Sequence, residues 1–192
     1  CFTYAGLNAR VNRYARWAQE TGRQPGDVVA LLMENRPEYV AAWLGLSKAG
    51  IVVALLNTNL RGAALAHCVA AGSAKAVVVS AVFDDVWNGA APFLDTAPDI
   101  YMHGVDRPGI RRIDAVLDSL SGDGISSDRR PVTIADRALL IYTSGTTGLP
   151  KAANVSHGRV LSWSLWFAGM LDTGPSDRMY DCLPLYHSVG GV

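Results

Sequence analysis

Hydrophobic residues along the chain fall into short continuous runs that alternate with stretches of helical spacing. Continuous apolar runs bounded by turn residues are typical of strands buried on both faces. They span residues 28–33, 51–56, 76–80 and 139–143, with a further extended piece near 100–103. Apolar residues three or four positions apart indicate helices, which we predict over 4–21, 37–49, 63–71, 82–91 and 113–120. This alternation predicts an α/β fold with a mostly parallel sheet flanked by helices.

Capping and turn residues mark where these helices begin and end. Thr3 is placed to cap the first helix, and Pro37 suits the first turn of the second because its missing N–H has no partner there. Gly50 and Gly72 follow the predicted ends of the second and third helices, as glycine commonly does. The boundaries predicted from periodicity and from these residues therefore agree.

The stretch at 121–130 is the most linker-like part of the chain. It contains serine, glycine, aspartate and arginine without apolar periodicity. Two interpretations remain open at this point: a surface loop inside one domain, or an internal subdomain boundary near 121–135.

A further helical pattern, at 158–171, has apolar residues around most of its circumference. Ser156 is placed to cap this helix, and Arg159 is its only basic residue. The helix is too short to span a bilayer, which requires about 20 apolar residues, and it lacks the basic face of an interfacial helix. We expect it to be buried inside a larger domain, with contact to a membrane or an acyl chain as the alternative.

Composition narrows the class of partners and the compartment. The 192 residues include 17 basic and 17 acidic side chains, so no net charge favours nucleic acid or an anionic membrane. The cysteines Cys1, Cys68 and Cys182 are odd in number and widely spaced, which predicts small buried thiols in a reducing, cytoplasmic compartment. Neither these cysteines nor His67 and His103 have metal-ligand spacing, so we assign them no metal site.

The strand at 139–143 runs directly into a loop of hydroxyl residues and glycines that ends at Lys151. The glycines lack Cβ atoms, so neighbouring N–H groups can converge on an anion, and the loop hydroxyls add further donors. The lysine supplies a compact positive charge. This combination indicates a polyphosphate site, and the contacts we predict are Thr143, Ser144, Gly145, Thr146, Thr147, Gly148 and Lys151.

This loop differs from a Walker A motif, in which Gly-Lys-Ser/Thr opens a helix after a glycine and four intervening residues. Two residues separate Gly145 from Gly148, and Lys151 follows Pro150. The proline disfavours helical geometry at the residue before it, and residues 152–155 are predicted to be extended. The phosphates are therefore expected on the loop itself and not at the N-terminus of a helix.

Residues 142–151, with the sequence YTSGTTGLPK, resemble the phosphate-binding motif of the adenylate-forming superfamily, which includes acyl-CoA synthetases, luciferases and peptide-synthetase adenylation domains. A second block at 180–188, YDCLPLYHS, is similar to the next core motif of that superfamily and follows in the expected order. Together the blocks resemble the fatty-acid-transport-protein branch of long- and very-long-chain acyl-CoA synthetases. Weaker similarity extends over 2–15 and 57–61. The resemblance implies that residues 1–192 are part of the large N-terminal AMP-binding domain of such an enzyme.

The resemblance also implies an ATP-dependent reaction in two steps. A fatty carboxylate attacks the α-phosphorus of ATP and releases diphosphate, and the thiol of coenzyme A then attacks the acyl-adenylate. The loop and Lys151 would stabilise negative charge on the departing phosphates, which makes Lys151 a candidate catalytic residue. The superfamily further implies Mg²⁺, to which we assign no carboxylate of this sequence, and the branch implies possible peripheral membrane association.

His187 in the second block is the other candidate catalytic residue. In similar enzymes the aromatic residue or histidine at this motif lies near the acyl pocket and the α-phosphate. A hydrogen-bonded histidine that fixes the turn after Pro184 is the alternative, and both interpretations stay open. We expect Tyr186 to serve packing and Asp181 to be a carboxylate in a structural turn.

The sequence stops soon after the second block, before the adenine, ribose and hinge motifs that the resemblance implies. We therefore expect a partial chain of a fatty-acid–CoA ligase that is a poor catalyst by itself. Two alternatives remain open. In the first, the chain is a truncated nucleotide- or partner-binding module without turnover. In the second, it is part of a ligase for another carboxylic acid.

Overall fold

The computed structural model describes residues 2–125, 130–143 and 148–191. Its strands are β1 (Val28–Leu32), β2 (Val52–Leu55), β3 (Ala76–Ser80), β4 (Asp99–His103), β5 (Arg111–Arg112), β6 (Arg137–Thr143) and β7 (Lys151–Ser156). Its α-helices are α1 (Tyr4–Glu20), α2 (Pro37–Lys48), α3 (Gly62–Ala71), α4 (Asp84–Ala90), α5 (Ile113–Asp118), α6 (His157–Met170) and α7 (Ser188–Gly191). Short 3₁₀ turns, Ala81–Phe83 and Ala91–Phe93, flank α4.

Within these described ranges the strands form one sheet in the order β5-β4-β3-β1-β2-β6-β7. Neighbouring strands are parallel except for the last pair, in which β7 runs antiparallel to β6. The predicted mostly parallel sheet is therefore confirmed. This last pair is antiparallel because the connection between β6 and β7 is too short for the crossover that a parallel pair requires.

Every strand except β5, which consists of two arginines, contributes to two hydrophobic cores, since successive residues of a strand point to opposite faces of the sheet. One core places Val29, Leu31 and Val53 against α1, α2 and α5. The other places Val28 and Ala30 against α3 and α4. All residues of β1 are buried, which explains why the strand sequences read as continuous apolar runs.

The capping residues occupy the positions predicted for them. The Thr3 side chain accepts a hydrogen bond from the Gly6 N–H at 3.0 Å, and α2 begins at Pro37. Gly72 follows the last residue of α3. The helix predicted over 82–91 is shorter and divided, because Pro92 lies in the first turn of the separate 3₁₀ turn that follows α4.

Residues 120–124 are tied to α1 by hydrogen bonds from its polar side chains. Asn12 Nδ2 donates to the Gly122 carbonyl at 2.8 Å, and Arg13 Nε donates to the Leu120 carbonyl at 3.1 Å. Arg16 donates to three further carbonyls of this segment. Asn12 also accepts from Lys48 Nζ at 2.7 Å, so a buried amide links α1, α2 and the segment. A subdomain boundary near 121–135 stays a prediction.

Two expectations about burial differ from the structure. No residue of α6 is buried among the described residues, and Leu165, Trp166 and Met170 are exposed, so the expected burial of this helix is not met here. Cys182 is exposed, whereas Cys68 is buried as predicted. No helix in the part of the chain that the structure describes combines the length and apolar character needed to cross a membrane.

Candidate functional site

The candidate phosphate loop joins the two strands of an antiparallel hairpin. Thr143, the last residue of β6, pairs directly with Lys151, the first residue of β7. The predicted extended segment after the loop is thus confirmed as β7. Because β6 is parallel to β2 and β1, the loop lies at the edge where the carboxyl ends of these strands meet, which is where open α/β sheets commonly bind ligands.

Of the seven predicted phosphate contacts, three belong to the described residues. Thr143, Gly148 and Lys151 are all exposed, and no described carboxylate forms an ion pair with the lysine ammonium group. A Cβ added at Gly148 would meet nothing within 4 Å. The other four contacts, at 144–147, lie outside the described residues.

The hairpin register decides which side chains share a face with Lys151. Residues directly opposite each other in an antiparallel pair project to the same face, and their neighbours project to the other. Thr143 and Lys151 therefore share one face. Tyr142 and Ala152, the adjacent pair, pack with the core on the other face, beneath α3.

Helix α3 contacts both strands of the hairpin. The Tyr142 hydroxyl donates to the Cys68 carbonyl at 2.6 Å, and His67 Nε2 lies 3.1 Å from the Pro150 carbonyl oxygen. Sequence reasoning gave His67 no role, because only the packing of α3 brings this residue to Pro150. Burial raises the pKa of the Cys68 thiol to about 11, so this thiol stays protonated at neutral pH and fills space as a small hydrophobe.

The second motif lies over the carboxyl ends of β1 and β2. Asn35, just after β1, donates to the Leu183 carbonyl at 2.7 Å and accepts from the Leu185 N–H at 2.9 Å. Asn59, in the loop after β2, donates to the Tyr186 hydroxyl at 3.1 Å. Leu185 and Tyr186 pack against the core that contains α1 and α2, which agrees with the packing role predicted for Tyr186. Sequence reasoning assigned no role to the two asparagines, although each lies in the loop that follows a buried strand.

His187 is exposed and belongs to a tight turn. Its N–H donates to the Pro184 carbonyl at 3.0 Å, and its Nδ1 accepts from the Val189 N–H at 3.4 Å. These bonds match the structural alternative for this residue. Within the described ranges no hydrogen bond or ion pair joins His187 to Lys151, so the structure brings both residues to the same edge of the sheet without direct contact.

Two other predictions for this block have an outcome in the structure. Asp181 accepts a hydrogen bond from the Leu183 N–H at 2.9 Å and is therefore a turn carboxylate, as predicted. Gly190 and Gly191 follow the motif because the chain folds back tightly on it. Cβ atoms added there would lie 2.5 Å from the Pro184 oxygen and 2.3 Å from the Leu185 oxygen, so larger residues cannot occupy these positions unless the backbone moves.

The described residues contain no group of three or more potential metal-ligating side chains. Mg²⁺ is commonly held by one or two carboxylates together with substrate phosphates. We therefore name no ligand of this chain for the Mg²⁺ that the resemblance implies.

Comparison with known proteins agrees with this arrangement. The family model described as "AMP-binding enzyme" matches residues 1–192. Long-chain fatty acid transport protein 1 of Bos taurus is 40% identical over 202 residues, which cover all of this chain and 30% of the relative. A medium/long-chain-fatty-acid–CoA ligase of Mycobacterium tuberculosis is 34% identical over 187 residues, which cover 97% of this chain and 30% of the ligase. The chain thus spans about a third of the length of these curated relatives.

The fold has a close counterpart among solved structures. The inhibitor-bound N-terminal domain of FACL13 from Mycobacterium tuberculosis superposes with a TM-score of 0.83 at 29% identity, covering 97% of this chain and 45% of that one. The sheet and its flanking helices therefore match part of the N-terminal domain of a protein of this type.

Proposed function

Because the chain belongs to the family of AMP-binding enzymes, we propose that it is the part of an ATP-dependent fatty-acid–CoA ligase that holds the phosphates of ATP. The observation that carries this proposal is the hairpin register. It sets the exposed Lys151 directly opposite Thr143, at the two ends of the glycine- and hydroxyl-rich loop. The relatives named as fatty acid transport proteins and as a fatty-acid–CoA ligase support the choice of acid.

The proposed reaction explains why such a loop is needed. A carboxylate is a poor electrophile, so a fatty carboxylate attacks the α-phosphorus of ATP and expels diphosphate, and the coenzyme A thiol then displaces AMP. Negative charge builds on the departing phosphates. Lys151, the Thr143 hydroxyl and the N–H and hydroxyl groups of residues 144–148 would stabilise that charge in place. Mg²⁺ bound with the nucleotide would neutralise further phosphate charge.

We propose that His187 lies beside the acyl group and the α-phosphate during this reaction. The second motif sits over the carboxyl ends of β1 and β2, and β6 delivers the phosphate loop to the same edge. Tyr186 packs with the core on one face of the sheet, and Tyr142 packs with the core on the other. Lys151 and Thr143 project away from the face of Tyr142, and therefore toward the face on which this motif lies.

Fatty-acid-dependent exchange of diphosphate into ATP tests the proposal, on this chain and on a longer form that contains it. Lys151→Ala should slow exchange by the order of a hundredfold, because losing one well-aimed donor commonly costs about 3 kcal/mol of barrier. Arg111→Ala removes an exposed cation from β5, at the opposite side of the sheet, and serves as the control. Unchanged exchange in the Lys151 variant would contradict the role of this lysine.

The same assay separates the two interpretations of His187. A His187→Ala variant with a normal unfolding temperature and slowed exchange supports a role beside the reacting groups. Normal exchange would leave His187 as a residue that only fixes the turn after Pro184.

Two alternatives to a fatty-acid ligase would give different results in this assay. A longer form that exchanges diphosphate with other carboxylic acids but not with fatty acids would be a ligase of the same chemistry and a different substrate. A longer form that binds nucleotide and exchanges with no acid would be a binding module. The absence of exchange with every acyl chain length would exclude the fatty-acid ligase.

We also propose that the chain works in the cytoplasm in peripheral contact with membranes. The exposed apolar side chains of α6 support this, because apolar area buried at a lipid surface contributes to binding even where a helix lacks a basic face. Sedimentation with phosphatidylcholine vesicles tests it, and a protein that stays in the supernatant contradicts it.

A further inference from the structure

The Pro150–Lys151 step lies where the candidate phosphate loop enters β7. β7 is an edge strand of the sheet, among the described residues it pairs only with β6, and Lys151 is its first paired residue. Pro150 has no N–H, so only its carbonyl oxygen can anchor the backbone at that position. The first pairs of an edge strand open easily unless something outside the ladder holds them.

His67 supplies a contact at this carbonyl. Its Nε2 lies 3.1 Å from the Pro150 oxygen and is partly shielded from solvent. A carbonyl can only accept, so Nε2 must carry the proton, as it does in one neutral tautomer and in the imidazolium. The peptide bond between Pro150 and Lys151 is thereby joined to the middle of α3.

The other strand of the hairpin is held by the same helix. The Tyr142 hydroxyl donates to the Cys68 carbonyl at 2.6 Å, and burial raises the pKa of Tyr142, which keeps this donor protonated. A Cβ at Gly72 would lie 2.7 Å from the Tyr142 hydroxyl, so a larger residue there would displace the tyrosine side chain. Consecutive residues of α3 thus hold the two strands on either side of the loop, and they do so from the face that Lys151 does not share.

We infer that His67 is a positioning residue for Lys151: its hydrogen bond to the Pro150 carbonyl fixes the backbone from which the lysine side chain projects toward the phosphates. The inference rests on the proposed function of the loop. The hydrogen bond that the structure describes for His67 goes to the Pro150 carbonyl, from the face of the hairpin that carries Tyr142, so His67 acts through the backbone of residues 150–151.

Two substitutions separate the hydrogen bond from the packing of the ring. His67→Phe keeps an aromatic ring and removes the donor, whereas His67→Gln keeps an N–H donor of similar reach. The binding of inorganic pyrophosphate in the presence of Mg²⁺ is measured by calorimetry on this chain, and backbone amide exchange is followed over residues 148–155. Thermal unfolding of each variant shows whether the fold is retained.

We expect His67→Phe to raise the Kd for pyrophosphate about three- to tenfold, the range that one lost hydrogen bond commonly produces. Amide exchange should accelerate at residues 151–153 while the unfolding temperature stays within a few degrees. His67→Gln should restore both quantities to within about twofold, because its amide can donate to the same oxygen. A residue with a general structural role would instead lower the unfolding temperature and leave Kd unchanged.

Equal Kd values for the original chain and His67→Phe would overturn the inference. Equal losses in His67→Phe and His67→Gln would overturn it as well, since the donor would then be irrelevant. Lys151→Ala, measured in parallel, tests the proposed function separately. If that variant binds pyrophosphate normally, the proposed role of the loop fails, and the amide exchange still shows whether His67 holds the strand.

Discussion

The region up to the end of α5 and the region from α6 onward, residues 2–118 and 157–191, use their apolar side chains differently. From α1 to α5 the apolar residues of strands and helices meet each other in two closed cores, one on each face of the sheet. In α6 and α7 no residue is buried, although α6 is rich in leucine, tryptophan and phenylalanine. Hydrophobic content alone therefore does not predict burial. A residue is buried only when the chain supplies a complementary surface, and the described residues supply a complete one for the first region but only partial cover for Val160, Trp163, Leu185 and Tyr186.

The largest expected effect comes from comparing a tryptophan in each region. Trp17 in α1 is 1% exposed and meets the Tyr101 ring edge-on at 4.8 Å, whereas Trp166 in α6 is 66% exposed. Trp17→Ala should lower the free energy of unfolding by about 3–5 kcal/mol, because it leaves a large cavity. Trp166→Ala should change it by less than about 0.5 kcal/mol. Urea denaturation measures both, and equal losses would mean that α6 is packed in solution.

A smaller effect is expected where the two regions are joined, at the segment that follows α5. Asn12→Ala removes the hydrogen bond to the Gly122 carbonyl and the partner of Lys48, both partly buried. The free energy of unfolding should fall by about 1–3 kcal/mol, because two partly buried hydrogen bonds are lost. Asn88→Ala, at an exposed asparagine of α4, is the matched control.

The same variant tests whether a subdomain boundary lies near 121–135. Limited proteolysis after residue 120 should accelerate in the Asn12 variant if its amide holds this segment to α1. Rapid cleavage of the original chain at 121–125 would instead favour a boundary there, and the hydrogen bonds from α1 would then contribute little.

The smallest expected effect is a dependence of stability on pH within the first region. Burial tends to raise the pKa of Asp114, but hydrogen bonds from Arg112 and from the Gly104 N–H outweigh it and lower the pKa to about 2. A carboxyl whose pKa is lower in the folded state stabilises the fold when ionised. This stabilisation is present above about pH 4, near the pKa of an unfolded aspartate, and is lost as the pH falls toward 2.

Asp114→Asn should remove this part of the pH dependence between pH 4 and 2, which urea denaturation at a series of pH values would detect. Asp95→Asn, at an exposed carboxylate, controls for the loss of one negative charge. The same slope in the original chain and in the Asp114 variant would show that other groups dominate acid unfolding.

The sequence predicted the first region well because its local signals agree with each other. Thr3, Pro37 and Gly72 mark helix ends through backbone chemistry that acts within a few residues, and all three stand where they were predicted. The strands were recognisable because burial on both faces permits only apolar residues. Prediction failed for Cys182, since its exposure depends on how the second motif folds over the sheet.

The residues of the candidate site also fall into two groups, those that the sequence predicts and those that only the fold brings together. The glycines, hydroxyls and Lys151 are contiguous in sequence, so the loop and the strand that delivers it could be predicted together. Asn35, Asn59 and His67 could not, because each acts on a segment that is distant along the chain. Their local sequence does not show which distant segment each one contacts, and contact with the site arises only when the strands are ordered side by side.

By itself, the sequence determined the alternation of strands and helices and the family motifs, and it predicted the chemistry of the phosphate loop, because periodicity and short motifs depend on neighbouring residues. The tertiary structure decided that β7 pairs antiparallel at the sheet edge, that Lys151 shares a face with Thr143, and that α3 holds both strands of the hairpin. It also decided that the apolar surface of α6 stays exposed. The physical reason is that strand pairing and burial depend on surfaces from distant parts of the chain, which no local pattern records.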